Sequence, residues 1–351
     1  MSIENEQNKE NLIEYFKKEK EKKNSVFLSK TRTVALSFIP GAKQITQFRS
    51  DLIEYLDGNE VLRLVEFFYG INYKDNPDML QALGPEYVEQ IIETVMKDTE
   101  KDKLEYYINL TLNIANSDFD TQERRDITRI LKSLSVSDIE LAKKYYVYGT
   151  YELVGYQNIA EQLSLLYGDD DGFLLKSINS LQSNGLIYDS SKGKVSNIIY
   201  FQNTGLLNQI VRLICKKEDI EPTAYNVKEK EMYDILIINH GIYNNGRGNW
   251  LLNELNKENI LAKIIDRNEV DKFNYYGKYF LHHMMSGDGS KEKIIFDLSN
   301  GYENYKENDF SNINRVKSVN MKYGRVKDED FNEEIKSFPK KIASIVESFN
   351  K

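Results

Sequence analysis

The sequence predicts a multidomain α plus α/β protein: an N-terminal helical bundle, a central winged-helix-like domain and a C-terminal Rossmann-like parallel α/β domain. Three observations carry this. Residues 1–134 repeat apolar stripes at helical spacing, residues 135–217 follow the order helix, helix, strand, turn, strand, helix, and from Met232 short continuous apolar runs flank a helix. The chain's 351 residues also exceed what one hydrophobic core usually organises, so two or three domains are expected.

In the first piece, residues 1–134, Leu52, Ile53, Tyr55 and Leu56 lead across the Asp57-Gly58 break into Val61, Leu62, Leu64, Val65, Phe67 and Phe68. Gly84-Pro85 opens the stripe Tyr87, Val88, Ile91, Ile92, Val95 and Met96, with proline suited to a first helical turn. Leu104 to Ile114 is apolar nearly all round and is expected at the centre of the core. Thr121 reads as the N-cap of a helix continuing through Ile127, Ile130, Leu131 and Leu134. Ser137 and Glu140 have the spacing of a capping box. No catalytic constellation is found here.

The second piece, residues 135–217, offers helices at Tyr156 to Leu166 and Phe173 to Leu181, then strands at Leu186 to Tyr188 and Asn197 to Phe201 around an Asp189-to-Gly193 turn. A closing helix begins at Asn203-Thr204-Gly205. A DNA-reading second helix needs cations for phosphates. This one opens with Asp169, Asp170 and Asp171 and carries Lys176 alone, with Lys192 and Lys194 in the turn. DNA is therefore disfavoured, and a structural or protein-contacting role is expected. Residues 218–231 are charged, contain Pro222 and read as a linker.

The third piece, residues 232–351, opens with Tyr233 to Asn239, a continuous apolar run suited to a buried parallel strand. The loop His240 to Gly248, a helix from Trp250 to Lys257 and a strand from Leu261 to Ile265 ending in Asp266 follow. A third strand is expected at Lys293 to Asp297 after a long insert, a fourth at Val316 to Met321, and a closing helix at Phe331 to Phe349. Gly241, Asn245, Gly246, Arg247 and Gly248 lie where a strand hands over to a helix N-terminus, a common place for anion binding through backbone amides. Asp266 stands where nucleotide-binding α/β folds place a ribose-binding acid. The glycine spacing matches neither the dinucleotide fingerprint nor the Walker loop, so Arg247 would supply the positive charge. The competing reading is a tight structural turn at Asn244-Asn245-Gly246.

His240 reads first as a loop histidine bonded to backbone and second as a general base beside Asp266 or Asp297. Adjacent His282 and His283 do not suit a bidentate metal site, and no metal ligands are assigned. Ser286 to Ser290 reads as a surface turn or a mobile loop over the strand ends. No particular cofactor is indicated.

Composition excludes several classes. One cysteine, Cys215, rules out an internal disulfide framework, and the net charge of −8 opposes an unaided cationic grip on nucleic acid. The charge is uneven: 25 basic and 32 acidic residues precede residue 216, against 18 and 19 from residue 231 onward, which favours an anionic ligand in the latter part. Residues 1–23 lack the apolar core of a signal peptide, and Pro40, Gly41 and Lys43 interrupt the most apolar early stretch, far short of the roughly 20 residues that span a bilayer. A cytoplasmic protein with no membrane partner is expected.

The run Ser177-Ile-Asn-Ser-Leu-Gln-Ser-Asn-Gly-Leu186, followed by Tyr200-Phe-Gln-Asn-Thr-Gly205, resembles a common bacterial winged-helix ending. The preceding Leu104 to Leu134 is similar to helical domains of Abi-alpha-type bacterial abortive-infection proteins, so the resemblance covers residues 104–215. It implies a role in antiviral defence. The expectation is a cytoplasmic regulatory or sensor protein whose α/β domain binds a nucleotide-like or anionic ligand while the rest relays to a protein partner or homo-oligomer. The alternatives are a nucleotide- or nucleic-acid-processing enzyme using His240, Asp266 and Asp297, and a pure interaction or DNA-binding regulator.

Overall fold

A computed structural model of the chain describes residues 58–71, 83–168, 171–190, 200–239, 245–287, 292–302 and 318–320, with residues 340, 342 and 344. Several expectations lie outside the described residues: the Leu52 to Leu56 stripe, Asp169 and Asp170, the turn with Lys192 and Lys194, His240 and Gly241, and most of the closing helix. The described residues group into two compact units, one within 1–149 and 163–225, the other within 150–162 and 226–351.

The first unit is mainly helical: α1 (Gly58–Gly70), α2 (Pro85–Lys97), α3 (Leu104–Ala115), α4 (Thr121–Ser133), α5 (Val136–Thr150), then α7 (Gly172–Ser183) and α8 (Gly205–Ile214). The short α6 (Ile159–Ser164) lies at the boundary between the units in sequence. The strands β1 (Ile187–Asp189) and β2 (Phe201–Asn203) pair antiparallel between α7 and α8. Proline at N1 starts α2, preceded by Gly84 at φ 80°, a value that favours glycine. Tyr107, Leu110 and Ile114 of α3 are fully buried, as its apolar composition requires. Asn109 and Asn113 of α3 donate to the backbone oxygens of Ile214 (2.9 Å) and Leu213 (2.7 Å), satisfying carbonyls that the end of α8 leaves without helical partners. These bonds tie the helical stretch and the winged-helix-like stretch into one unit, a coarser division than the three-piece expectation.

Two caps differ from the sequence expectation. Asp120, not Thr121, is the N-cap of α4: its carboxylate accepts from the Glu123 amide (2.8 Å), and Glu123 accepts from the Asp120 amide (2.9 Å). Asp120 is the acceptor set three residues before a glutamate, so the reciprocal box forms there and Thr121 becomes the first helical residue. At α5 the reciprocal pair is Ser135 with Asp138 (2.9 and 3.2 Å), two residues earlier than Ser137 with Glu140. Thr204 caps α8, accepting from the Leu207 amide at 3.2 Å.

The second unit is built on a mixed five-stranded sheet in the order β4-β3-β5-β6-β7: β3 (Glu231–Asn239), β4 (Ala262–Asp266), β5 (Tyr275–Gly287), β6 (Glu292–Asn300) and β7 (Ser318–Asn320). β4 and β5 flank β3 in parallel, whereas β6 and β7 run antiparallel. The expected all-parallel sheet is thus corrected to a mixed one. The expected third strand is β6, and half of the insert before it is β5. Only four residues separate β5 from β6, too few for a parallel crossover. β3 reads as continuously apolar because both its faces are covered. Ile235 and Ile237 pack with Tyr279, Leu281, Leu298 and Ile342 and with Leu251 and Leu255 of α9 (Asn245–Lys257). Leu236 and Ile238 pack on the other face with Ile265, Phe280 and Val270 of the short α10 (Arg267–Val270).

The boundary between the two units falls at 225/226, within the expected linker at 218–231. Lys217–Ile220 and Pro222–Tyr225 form 3₁₀ turns with Ile220 and Pro222 buried. Further on, the Lys230 amide donates to the Glu152 oxygen (2.7 Å) and the Val154 amide to the Lys228 oxygen (2.8 Å), so residues 228–230 pair with residues 152–154 of the same unit.

Candidate functional site

β3 precedes β4 and β5 in sequence but lies between them, so the connection from β3 runs to one side and the connection from β4 crosses back to the other. Open α/β sheets form ligand crevices where strand order reverses in this way, outside the carboxyl ends. From β3 the chain passes through residues 240–244 into α9, and Asn245, Gly246, Arg247 and Gly248 form the first turn of that helix. This differs from the expectation, which placed Gly246 to Gly248 in the loop. The change is chemically useful, because the first four amides of a helix have no partners within it. Leu251 and Leu255, buried against the sheet, fix the helix.

At the same edge Asn239 and Asp266 are register neighbours at the ends of β3 and β4, and the Asn239 amide donates to the Asp266 carboxylate at 3.1 Å. Asp266 is also the backbone N-cap of α10, but its side chain makes no capping bond and stays exposed. The carboxylate is therefore oriented by Asn239 and remains available to solvent. Asn239 was not singled out from the sequence; its register with Asp266 is the signal.

Of the proposed catalytic set, Asp266 and Asp297 are the two whose strands are described. His240 lies outside the described residues. Asp297 occurs in β6 opposite His282, which is opposite Ile238, whereas Asp266 is opposite Asn239. From β4 across β3 and β5 to β6 is three strand spacings, about 14 Å, too far for Asp266 and Asp297 to share one hydrogen bond. Ser286 and Gly287 belong to β5 rather than to a surface turn. Among the described residues no group of three or more His, Cys, Asp or Glu side chains could hold a metal ion.

Cys215 is buried, and burial pushes its thiol up to about 12, so it is not an activated nucleophile. In α7 the Asp171 carboxylate accepts from the Phe173 and Leu174 amides at 2.9 and 3.1 Å, while the Phe173 ring is 86% exposed. No helix among the described residues is long and apolar enough to cross a membrane.

A cavity of about 250 Å³ opens in the second unit. It does not sit at the carboxyl ends. It lies over the face formed by Leu236, Ile265, Val270 and Phe280, and reaches the first residues of β5, Tyr275 and Tyr276. Its lining comes from four separated stretches of sequence, which is why no local motif announced it.

Fold and site together define a chain of two units, one helical and one mixed α/β, the second with a strand-order reversal, a glycine-containing helix start and a lined cavity. Comparison with family models, curated proteins and solved structures finds no match to this chain.

Proposed function

We propose that the chain is a cytoplasmic ligand-responsive regulatory protein, with phage defence its setting, as the resemblance of residues 104–215 to Abi-alpha-type proteins suggests. Its α/β unit binds a nucleotide-like anionic small molecule at the carboxyl ends of β3 and β4. Its helical unit, with the winged-helix-like arrangement of α7, β1, β2 and α8, acts on a protein partner or on further copies of the chain. The observation that carries this is that α9, which follows β3 in sequence, has Gly246, Arg247 and Gly248 in its first turn, while Asn239 and Asp266 pair at the ends of β3 and β4. Helix amides and Arg247 would hold phosphate, and Asp266 would accept from a sugar hydroxyl. An enzyme reading is less well supported, because Asp266 and Asp297 are three strands apart. A DNA-binding reading is less well supported because Lys176 is the single basic residue of α7.

Thermal melting with a panel of mono- and dinucleotides tests this. A ligand at a hundredfold its Kd adds about 2.7 kcal/mol of stability, a readily measured rise. The rise is expected for at least one nucleotide in the wild type and is lost in Arg247→Ala. No rise with any nucleotide in the wild type overturns the proposal.

A further inference from the structure

The cavity on the opposite face of the sheet carries a different chemistry. Its floor is apolar: Leu236, Ile265, Val270 and Phe280. Leu236 packs directly over Gly277, where a Cβ would meet Leu236 Cγ at 2.5 Å. Aromatic rings form the walls. Phe273 and Tyr302 meet edge to face with centroids 4.9 Å apart, and Tyr302 packs in the same way on Phe280 at 6.2 Å. The Tyr302 hydroxyl donates to Asp271, which braces that wall.

The charged groups are asymmetric, and Gln157, Asn158 and Tyr275 add further polar side chains to the lining. Lys230, whose side chain is 2% exposed, donates to Glu152 Oε2 at 3.1 Å, a pair that neutralises itself. Glu152 keeps its second oxygen as an acceptor, and Glu269 adds another carboxylate to the lining. The Tyr276 hydroxyl is held above its ordinary pKa by burial first and by the Glu152 charge second, so it stays protonated and able to donate or accept. Asn274 contributes an amide. Two carboxylates against one lysine leave the lining net acidic, which repels phosphate and favours a ligand rich in N–H donors. Aromatic walls favour a flat ring, and one carrying positive charge gains further from their faces. The volume falls just below the usual range of roughly 300–1,000 Å³ for ligand pockets, which limits the occupant to about one ring system.

We infer that this cavity is a second ligand site, distinct from the anion site at the carboxyl ends, for a planar nitrogen heterocycle of nucleobase size presenting N–H donors to Glu152 and Glu269. The two sites differ in charge preference and in the face of the sheet they use, so either stands without the other.

Titration calorimetry on the full chain decides it, with adenine, guanine, cytosine and their nucleosides in one arm, benzamidine as a cationic planar amidine in a second, and inorganic phosphate in a third. Binding is expected in the first or second arm, and which one responds separates a nucleobase from an aromatic cation. Glu269→Gln and Tyr276→Phe, both nearly isosteric, should weaken that binding at least tenfold at an unchanged melting temperature. Arg247→Ala, which removes only the anion site, should leave it intact. The inference is overturned by silence in both planar arms, by binding that both cavity variants retain at full strength, or by binding that Arg247→Ala abolishes.

Discussion

Lys103 in the helical unit and Lys230 in the α/β unit are both almost entirely buried, but their surroundings differ. Lys103 is enclosed: it pairs with Asp98 at 2.7 Å, donates to the Lys132 backbone oxygen at 3.0 Å and lies 5.6 Å from the centre of the Tyr107 ring. Asp98 in turn accepts from the Tyr107 hydroxyl at 2.5 Å and from the Glu100 amide at 2.9 Å. Lys230 has the Glu152 carboxylate, and that pair forms part of a cavity wall. A polar network whose members partner one another is what a folded scaffold needs. Acceptors left facing a cavity are what a recognition surface needs. The contrast sets a closed packing role in the first unit against the ligand contact proposed for the second.

The contrast can be broken by substitution. The largest effect is expected for Lys103→Met, which leaves Asp98 buried without its counter-charge and should cost about 3–5 kcal/mol in urea unfolding. A small loss would mean the network is less closed than its geometry. Next comes Gly277→Ala, whose methyl would press on Leu236, for about 1–3 kcal/mol; this variant should also weaken any ligand held in the cavity.

A pH series tests the same network from another side. Burial alone would raise the Asp98 carboxyl, but bonds from Lys103, Tyr107 and the Glu100 amide outweigh it and hold the pKa below the ordinary value. At Asp138 burial is likewise outweighed, by Ser177, Ser135 and Ser180. A depressed folded-state pKa contributes stability that is complete above the unfolded value of about 3.9 and is lost as pH falls through the folded value. Chemical denaturation should therefore show stability falling below about pH 4, with a smaller fall in Asp98→Asn once that variant's own loss is subtracted. Thr204→Ala, removing the cap of α8, should cost about 1 kcal/mol, the smallest of these effects.

Much of the fold could be read directly. The runs Tyr233 to Asn239 and Leu261 to Ile265 are strands β3 and β4 because strands covered on both faces must be apolar throughout. β5 was missed because Tyr275 to Gly287 mixes tyrosine, lysine, glycine and histidine, with no clean alternation or apolar run. Its tyrosines were the available clue, since aromatic residues favour strands. The direction of β6 followed from that omission: an apolar run such as Ile294-Ile-Phe reports burial, not orientation, and only the four-residue connection from β5 dictates antiparallel pairing. Arg247 and Asp266 could be named from their places at a helix start and a strand end. The cavity could not, because Glu152, Lys230, Glu269 and Tyr302 meet only through tertiary packing.

The assignment of ligand contact to the α/β unit meets its sharpest check in nucleotide melting shifts compared across wild type, Arg247→Ala and Glu269→Gln. At least one nucleotide should raise the melting temperature of the wild type and of Glu269→Gln but not of Arg247→Ala. A wild type indifferent to every nucleotide, or a shift that survives unchanged in Arg247→Ala, would contradict it.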